Sequence, residues 1–337
     1  MKKYILLSLA VIGIIAFAAF RQKTEFLIQG GTMGTTYHVK VVAPYMTNMN
    51  DVKEEIDKRL NEINQSMSTY IKTSEISRFN SDSRTDSRHG VSRDFFLVMT
   101  MGGKLHRLTG GAWDGTVKPL VDLWGFGNAG SKNRIPDPQE IAAALSLVGF
   151  HYIDISQERY LSKKIPQVTV DLASIAKGYG VDQIAGVVKA HGFMDFIVEI
   201  GGEVFASGLR KDGKEWRVGI NTPQPEAPFD LVYRSLPLKN KAMATSGDYR
   251  NFFEENGVRY SHVIDPRNGY PVKHDVVSVS VLSDTCVFAD GLATGLMVMG
   301  PVDGIKLTNR LENAECLIIV RNKDGSLSEY YSENFPR

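Results

Sequence analysis

Apolar positions recur at helical spacing in several stretches of the chain. Val52, Ile56, Leu60 and Ile63 share one face of a helix predicted to begin near Asn50. Asp137-Pro138-Gln139-Glu140 supplies a capping acid, a proline at the first helical position and a glutamate three residues past the cap. Ile141, Leu145 and Val148 then follow at helical intervals. Two further helices are predicted over residues 174–189 and 286–299. Runs of β-branched and aromatic residues bounded by Gly, Pro or polar residues predict strands at Thr36–Val42, Val168–Asp171, Phe196–Ile200, Trp216–Asn221, Val276–Leu282 and Cys316–Val320. Helices and strands intermix without a regular βαβ rhythm, so the pattern favours an α+β fold over a doubly wound sheet. Residues 80–88, rich in Ser, Asp and Arg, and the three-proline stretch 223–228 read as surface loops. There is no internal repeat and no low-complexity linker.

The amino terminus follows a different pattern. Met1-Lys2-Lys3 precedes an uncharged stretch from Tyr4 to Phe20, then Arg21 and Lys23. A charged start followed by an apolar run is the pattern of an export signal, with Ala16-Phe17-Ala18 as a small-x-small cleavage site. The run is also nearly long enough to serve as an uncleaved membrane anchor. Residues 1–23 are therefore assigned to a signal peptide or anchor, and residues 24–337 to one exported domain facing the outer side of the cytoplasmic membrane. No cysteine follows the run, so lipid attachment is not available there.

Composition narrows the partners. Over 337 residues the chain carries 39 basic and 38 acidic side chains, a formal net charge of +1, and has no basic run of five or more. Binding to nucleic acid through phosphate neutralisation is therefore not expected. Its two cysteines, Cys286 and Cys316, cannot build a disulfide framework or a thiolate cluster; one bridge in an oxidising compartment is open to them, but packing as small apolar residues suits them better.

Four segments carry candidate chemistry. In Val168-Thr-Val-Asp171-Leu-Ala-Ser174-Ile-Ala-Lys177, an acid at a strand end leads into a helix with a lysine one turn along. Backbone N–H groups at such a start can receive phosphate, although the residues alone favour Asp171 as a helix cap and Lys177 as a solvated side chain. Asp290 and Thr294, four apart, lie on one helical face. Two oxygen donors there suit a hard cation such as Mg²⁺, and an acid among Phe288, Leu292 and Leu296 is costly unless satisfied. Gly110-Gly111-Ala112-Trp113-Asp114 could support a planar heterocycle or form a tight turn under a core tryptophan. His262 precedes the turn-forming Asp265-Pro266-Arg267-Asn268-Gly269, and no Ser–His–Asp or Cys–His arrangement is evident from spacing.

In sequence order these segments resemble the ApbE family, the FAD:protein FMN transferases. The matching stretches are Gly31-Thr-Met33-Gly-Thr-Thr-Tyr37, Met67-Ser-Thr-Tyr70 leading to Glu75-Ile-Ser-Arg-Phe-Asn80, and Gly111-Ala112-Trp113-Asp114. They continue with Asp171 to Tyr179, Ile200-Gly-Gly-Glu203, Ser261-His262-Val-Ile264-Asp-Pro266 and Asp290-Gly-Leu-Ala-Thr294, spanning about residues 28 to 320. The resemblance implies a single T-fold-like α+β domain that binds FAD and Mg²⁺. It would transfer the FMN half of FAD to a threonine hydroxyl of a partner protein and release AMP. It places Met33, Tyr70, Ala112, Trp113, Asp114, Asp171, Lys177 and Ile264 against FAD. Ser174 (through its backbone oxygen), Asp290 and Thr294 fall on the metal, and His262 in the catalytic region. The implied acceptors are subunits of membrane redox pumps of the Na⁺-translocating NADH:quinone reductase or RNF type. Two departures from the family stand out: the missing lipoprotein cysteine, and Ala173-Ser174 where relatives commonly carry glycine. An FAD pyrophosphatase and an exported FAD-binding protein without turnover are the competing readings, and the intact Asp290–Thr294 pair favours catalysis.

Overall fold

A computed structural model describes residues 23–85, 87–127, 134–224, 226–228, 231–248, 252–255 and 258–336. Of the signal or anchor assigned to residues 1–23, residues 1–22 lie outside the described residues, and Lys23 already opens the first strand. In chain order the elements are β1 (Lys23–Thr32), β2 (Thr35–Pro44), α1 (Asn50–Met67), α2 (Glu75–Ser81), β3 (His89–Gly90), α3 (Arg93–Leu108), α4 (Lys118–Leu123) and α5 (Pro138–Leu145). After a 3₁₀ turn come β4 (Ile153–Ile155), β5 (Tyr160–Lys163), α6 (Ala173–Ala190), β6 (Phe196–Ile200), β7 (Glu203–Ser207), β8 (Trp216–Asn221) and β9 (Val232–Leu238). The chain finishes with β10 (Lys241–Gly247), β11 (Phe252–Glu255), β12 (Val258–Ser261), β13 (Val276–Ser283), α7 (Cys286–Thr308), β14 (Ala314–Arg321) and β15 (Leu327–Tyr331).

One antiparallel sheet runs in the order β1-β2-β6-β7-β10-β13-β14-β15, joining the first and last strands of the chain. Its two faces are both buried, because alternate side chains point to opposite sides. Val39, Val198, Ile200, Ala244, Val279, Val281 and Ile318 face the helical layer of α1, α6 and α7. Ala206, Met243, Val277, Leu317 and Ile319 face the β8–β9 hairpin, which covers them with Trp216, Val218, Ile220 and Leu236. The α+β expectation holds. By length and composition α7 could cross a membrane, but 72% of its apolar window is buried inside the domain, where it serves as the central core helix.

The helix over 50–63 and the proline-started helix at 138 form as the spacing requires, the latter with the Asp137 N–H donating to Glu140 Oε2 at 2.9 Å. The helix placed at 286–299 runs on to Thr308, across a break at Gly300-Pro301. The strand expected at Val168–Asp171 does not form. Its backbone is claimed instead by a side chain: the Val170 N–H donates to Asn80 Oδ1 at 2.7 Å, and Asn80 Nδ2 donates to the Val170 carbonyl at 2.8 Å. The Asp171 N–H donates to the Gly115 carbonyl at 2.7 Å. Asn80 thus takes the place of a neighbouring strand and belongs to α2 rather than to the surface loop that follows it. Cys286 and Cys316 are both free and buried, packing as small apolar groups.

Candidate active site

The floor of the site is the crossing of α6 and α7. Asp182 on α6 sets the start of α7, its carboxylate accepting the N–H groups of Cys286 at 2.8 Å and Val287 at 2.9 Å. Burial pushes the Asp182 carboxyl up to about 6 despite these bonds. Gly178 makes the close approach possible, since a Cβ there would stand 2.4 Å from the Cys286 carbonyl oxygen. The Gly178 N–H donates to Asp290 Oδ2 at 2.9 Å, so the buried acid that looked costly in the sequence is satisfied by backbone.

Three charged groups meet beside this contact. Lys177 on α6 donates to Glu203 Oε1 at the start of β7. Burial pushes Asp290 above the usual carboxylate range, opposed by the Lys177 ammonium. Burial and then the Asp290 charge push Glu203 up as well. Burial works against the Lys177 charge, but Asp290 and Glu203 outweigh it and hold its pKa above the ordinary lysine value. The second Glu203 oxygen, Oε2, is buried with no hydrogen-bond partner.

The walls come from segments far apart in sequence. Trp113 is buried in the core, 5.9 Å from the Phe150 ring, and its Nε1–H donates to Ser174 Oγ at 3.1 Å. Asp114 is occupied in holding the turn: Oδ1 accepts from the Thr116 N–H and hydroxyl, and Oδ2 from the Phe150 N–H. His106 Nδ1 adds an ion-pair contact 3.2 Å from Asp114 Oδ2. Asp171 Oδ1 accepts the Ala173 N–H at 2.9 Å and so helps to start α6. On the opposite side, Ser246 on β10 lies 3.2 Å from the Thr294 hydroxyl. His262, just past β12, has Nδ1 3.2 Å from Oδ1 of the buried Asp248.

Between floor and walls lies a cleft of about 520 Å³, a size suited to a nucleotide-like ligand. Tyr70, Ala112, Trp113, Asp114, Asp171, Ser174, Lys177, His262, Ile264, Asp290 and Thr294 all border it. Met33 does not: it sits at the β1–β2 turn with φ 49°, its methyl group against Gly180 of α6. Among the described residues no group of three His, Cys, Asp or Glu side chains stands at metal-binding spacing. The candidate donors are instead one carboxylate, one hydroxyl and one backbone carbonyl, from Asp290, Thr294 and Ser174. An all-oxygen set beside the bare, buried Glu203 Oε2 fits a hard divalent cation.

Sequence reasoning missed Ser246, which lines the cleft through strand pairing, and two acids that support it from behind: Asp248, against His262, and Asp182, under the start of α7. Glu203 was visible in a quoted motif but carried no role.

Segments scattered from residue 70 to residue 294 thus converge on one cleft, and the ApbE family profile matches residues 33–318. This chain belongs to the ApbE family. A Vibrio cholerae ApbE relative named FAD:protein FMN transferase is 43% identical over 309 residues, 91% of each chain. A Haemophilus influenzae relative of the same name is 40% identical over 335 residues, covering 98% of this chain and 96% of its own. Among solved ApbE structures, the flavin transferase of V. cholerae superposes with a TM-score of 0.82 at 41% identity, covering 93% of this chain and 98% of that one. The apo flavinyl transferase of Pseudomonas stutzeri gives 0.83 at 34% identity, covering 93% and 96%.

Proposed function

We propose that this ApbE-family protein is an FAD:protein FMN transferase that moves the FMN half of FAD onto a threonine hydroxyl of an acceptor protein, using Mg²⁺ and releasing AMP. The observation that carries the proposal is the cleft itself. It sets the oxygen donors of Asp290 and Thr294 and the cation of Lys177 in the floor, and a carboxylate-supported histidine in the wall.

In this reaction the threonine Oγ attacks the phosphorus on the riboflavin side of the pyrophosphate. A new P–O bond forms, the bridging P–O bond breaks, and AMP departs with the bridging oxygen. The hydroxyl proton must pass to a base. His262 suits that task by position: it borders the cleft, and Asp248 Oδ1, 3.2 Å from its Nδ1, fixes the orientation of the ring. Lys177 places positive charge in the cleft floor, where it would face the pyrophosphate. A divalent cation held by Asp290, Thr294 and the Ser174 carbonyl neutralises phosphate charge when bound. Trp113 and Ile264 supply apolar surface, and Tyr70 stands exposed at the rim.

The proposed acceptors are subunits of membrane redox pumps, of the Na⁺-translocating NADH:quinone reductase or RNF type. The proposed place of action is the outer face of the cytoplasmic membrane, reached by way of the apolar segment Tyr4–Phe20. The test incubates the full chain, FAD, Mg²⁺ and one such subunit, then reads the subunit by intact mass. An FMN adduct that disappears with chelator is expected. Release of FMN and AMP without an adduct would instead indicate water as the acceptor, and FAD left whole would indicate binding without turnover.

A further inference from the structure

The Lys177–Glu203–Asp290 cluster contains one oxygen that the transfer chemistry above leaves unused. Glu203 opens β7 immediately after Gly201-Gly202, whose φ values of 58° and 102° suit glycine and turn the chain sharply between β6 and β7. The turn brings the glutamate into the floor of the cleft with a side chain only 4% exposed. Oε1 receives the Lys177 ammonium, while Oε2 is buried and without a hydrogen-bond partner. On the other side of Lys177, Asp290 has one oxygen bound to the Gly178 N–H.

Lys177 is therefore paired with Glu203 and lies within the field of Asp290 in one buried floor. A buried carboxylate oxygen is a strong acceptor, and leaving it bare is costly. Glu203 borders the same cleft as the Asp290–Thr294 donors, and its hard-oxygen chemistry matches theirs. We propose that Glu203, through Oε2, is a further ligand of the divalent cation held by Asp290 and Thr294, a role that rests on the metal reading given above. Glu203 then has two duties, anchoring Lys177 with one oxygen and the cation with the other. The site becomes a two-carboxylate site drawing on β7 as well as α6 and α7.

The test is direct cation binding, read without turnover. The full chain is titrated with Mn²⁺, alone and with FAD, and free Mn²⁺ is followed by electron paramagnetic resonance. Circular dichroism and thermal unfolding check that each variant is folded. Glu203→Gln, nearly isosteric, is expected to weaken Mn²⁺ affinity by about tenfold or more. Glu203→Asp keeps the charge but withdraws the oxygen by one methylene, and a similar loss is expected. If Glu203→Gln binds like wild type while Asp290→Asn does not, Glu203 is no ligand and the metal reading stands without it. Wild-type affinity in Glu203→Asp alongside weakened Glu203→Gln would also overturn ligation, showing that only charge matters. No Mn²⁺ binding by the wild-type chain, with or without FAD, would overturn the metal reading and this inference together.

Discussion

Gly178 and Asp290 lock α6 against α7: the Gly178 N–H donates to Asp290 Oδ2 at 2.9 Å, and a Cβ at residue 178 would meet the Asp290 Cβ at 2.7 Å. The missing side chain and the buried acid are one device. Gly178→Ala must push the helices apart, at a cost of about 1–3 kcal/mol for overpacking. Urea unfolding is expected to show that loss, with FMN transfer falling alongside it. Stability within experimental error of wild type would mean that the crossing has slack.

Asp290→Asn separates stability from function. Burial raises the Asp290 carboxyl above its unfolded value, so holding the ionised form at neutral pH weighs against the native state. The amide keeps an oxygen for the Gly178 N–H but removes the charge. Thermal unfolding is expected at or above the wild-type temperature, while Mg²⁺-dependent transfer falls by about 100-fold or more. Normal turnover would remove Asp290 from the catalytic floor.

For the His262–Asp248 pair, His262→Ala is expected to slow FMN transfer by about 10²–10⁴-fold, the usual range for a lost proton acceptor. FAD affinity, followed by flavin fluorescence, should change much less. Asp248→Asn should reproduce part of the rate loss, because Asp248 Oδ1 orients the His262 ring. A wild-type rate in Asp248→Asn would assign Asp248 to packing alone.

His106 faces Asp114 at 3.2 Å, and that carboxylate raises its pKa against the opposing effect of burial. A histidine raised in the folded state contributes stability that is fully present below its ordinary value of 6.5 and disappears as the pH climbs through the raised value. His106→Gln should therefore destabilise the protein more at pH 6 than at pH 8 in urea titrations. Equal effects at both values would show that the pair is electrostatically silent.

Local periodicity was enough for α1, where Val52, Ile56, Leu60 and Ile63 are all buried, and for the capped start of α5. It failed at Val168–Asp171, because nothing in a β-branched run reveals that an asparagine ninety residues away will take its hydrogen bonds. The site divides the same way. Residues within contiguous motifs, such as Trp113, Lys177 and Asp290, were legible. Asp248 was not: it leaves β10 as an ordinary acid and gains its partner only when the segment after β12 folds beside it. Asp114 was legible but with a different emphasis, since both its oxygens serve the turn and the Phe150 backbone.

The central sheet has a seam where β7 meets β10, with just three residue pairs from Lys241–Ala206 to Met243–Val204. Lys177 and Glu203 arrive from the amino-terminal side of that seam; Ser246, His262, Asp290 and Thr294 arrive from the carboxy-terminal side. Neither side alone supplies both the lysine and the acid–hydroxyl pair that line the cleft floor. The cleft is therefore a late product of folding, assembled only when both parts of the chain have come together across that seam.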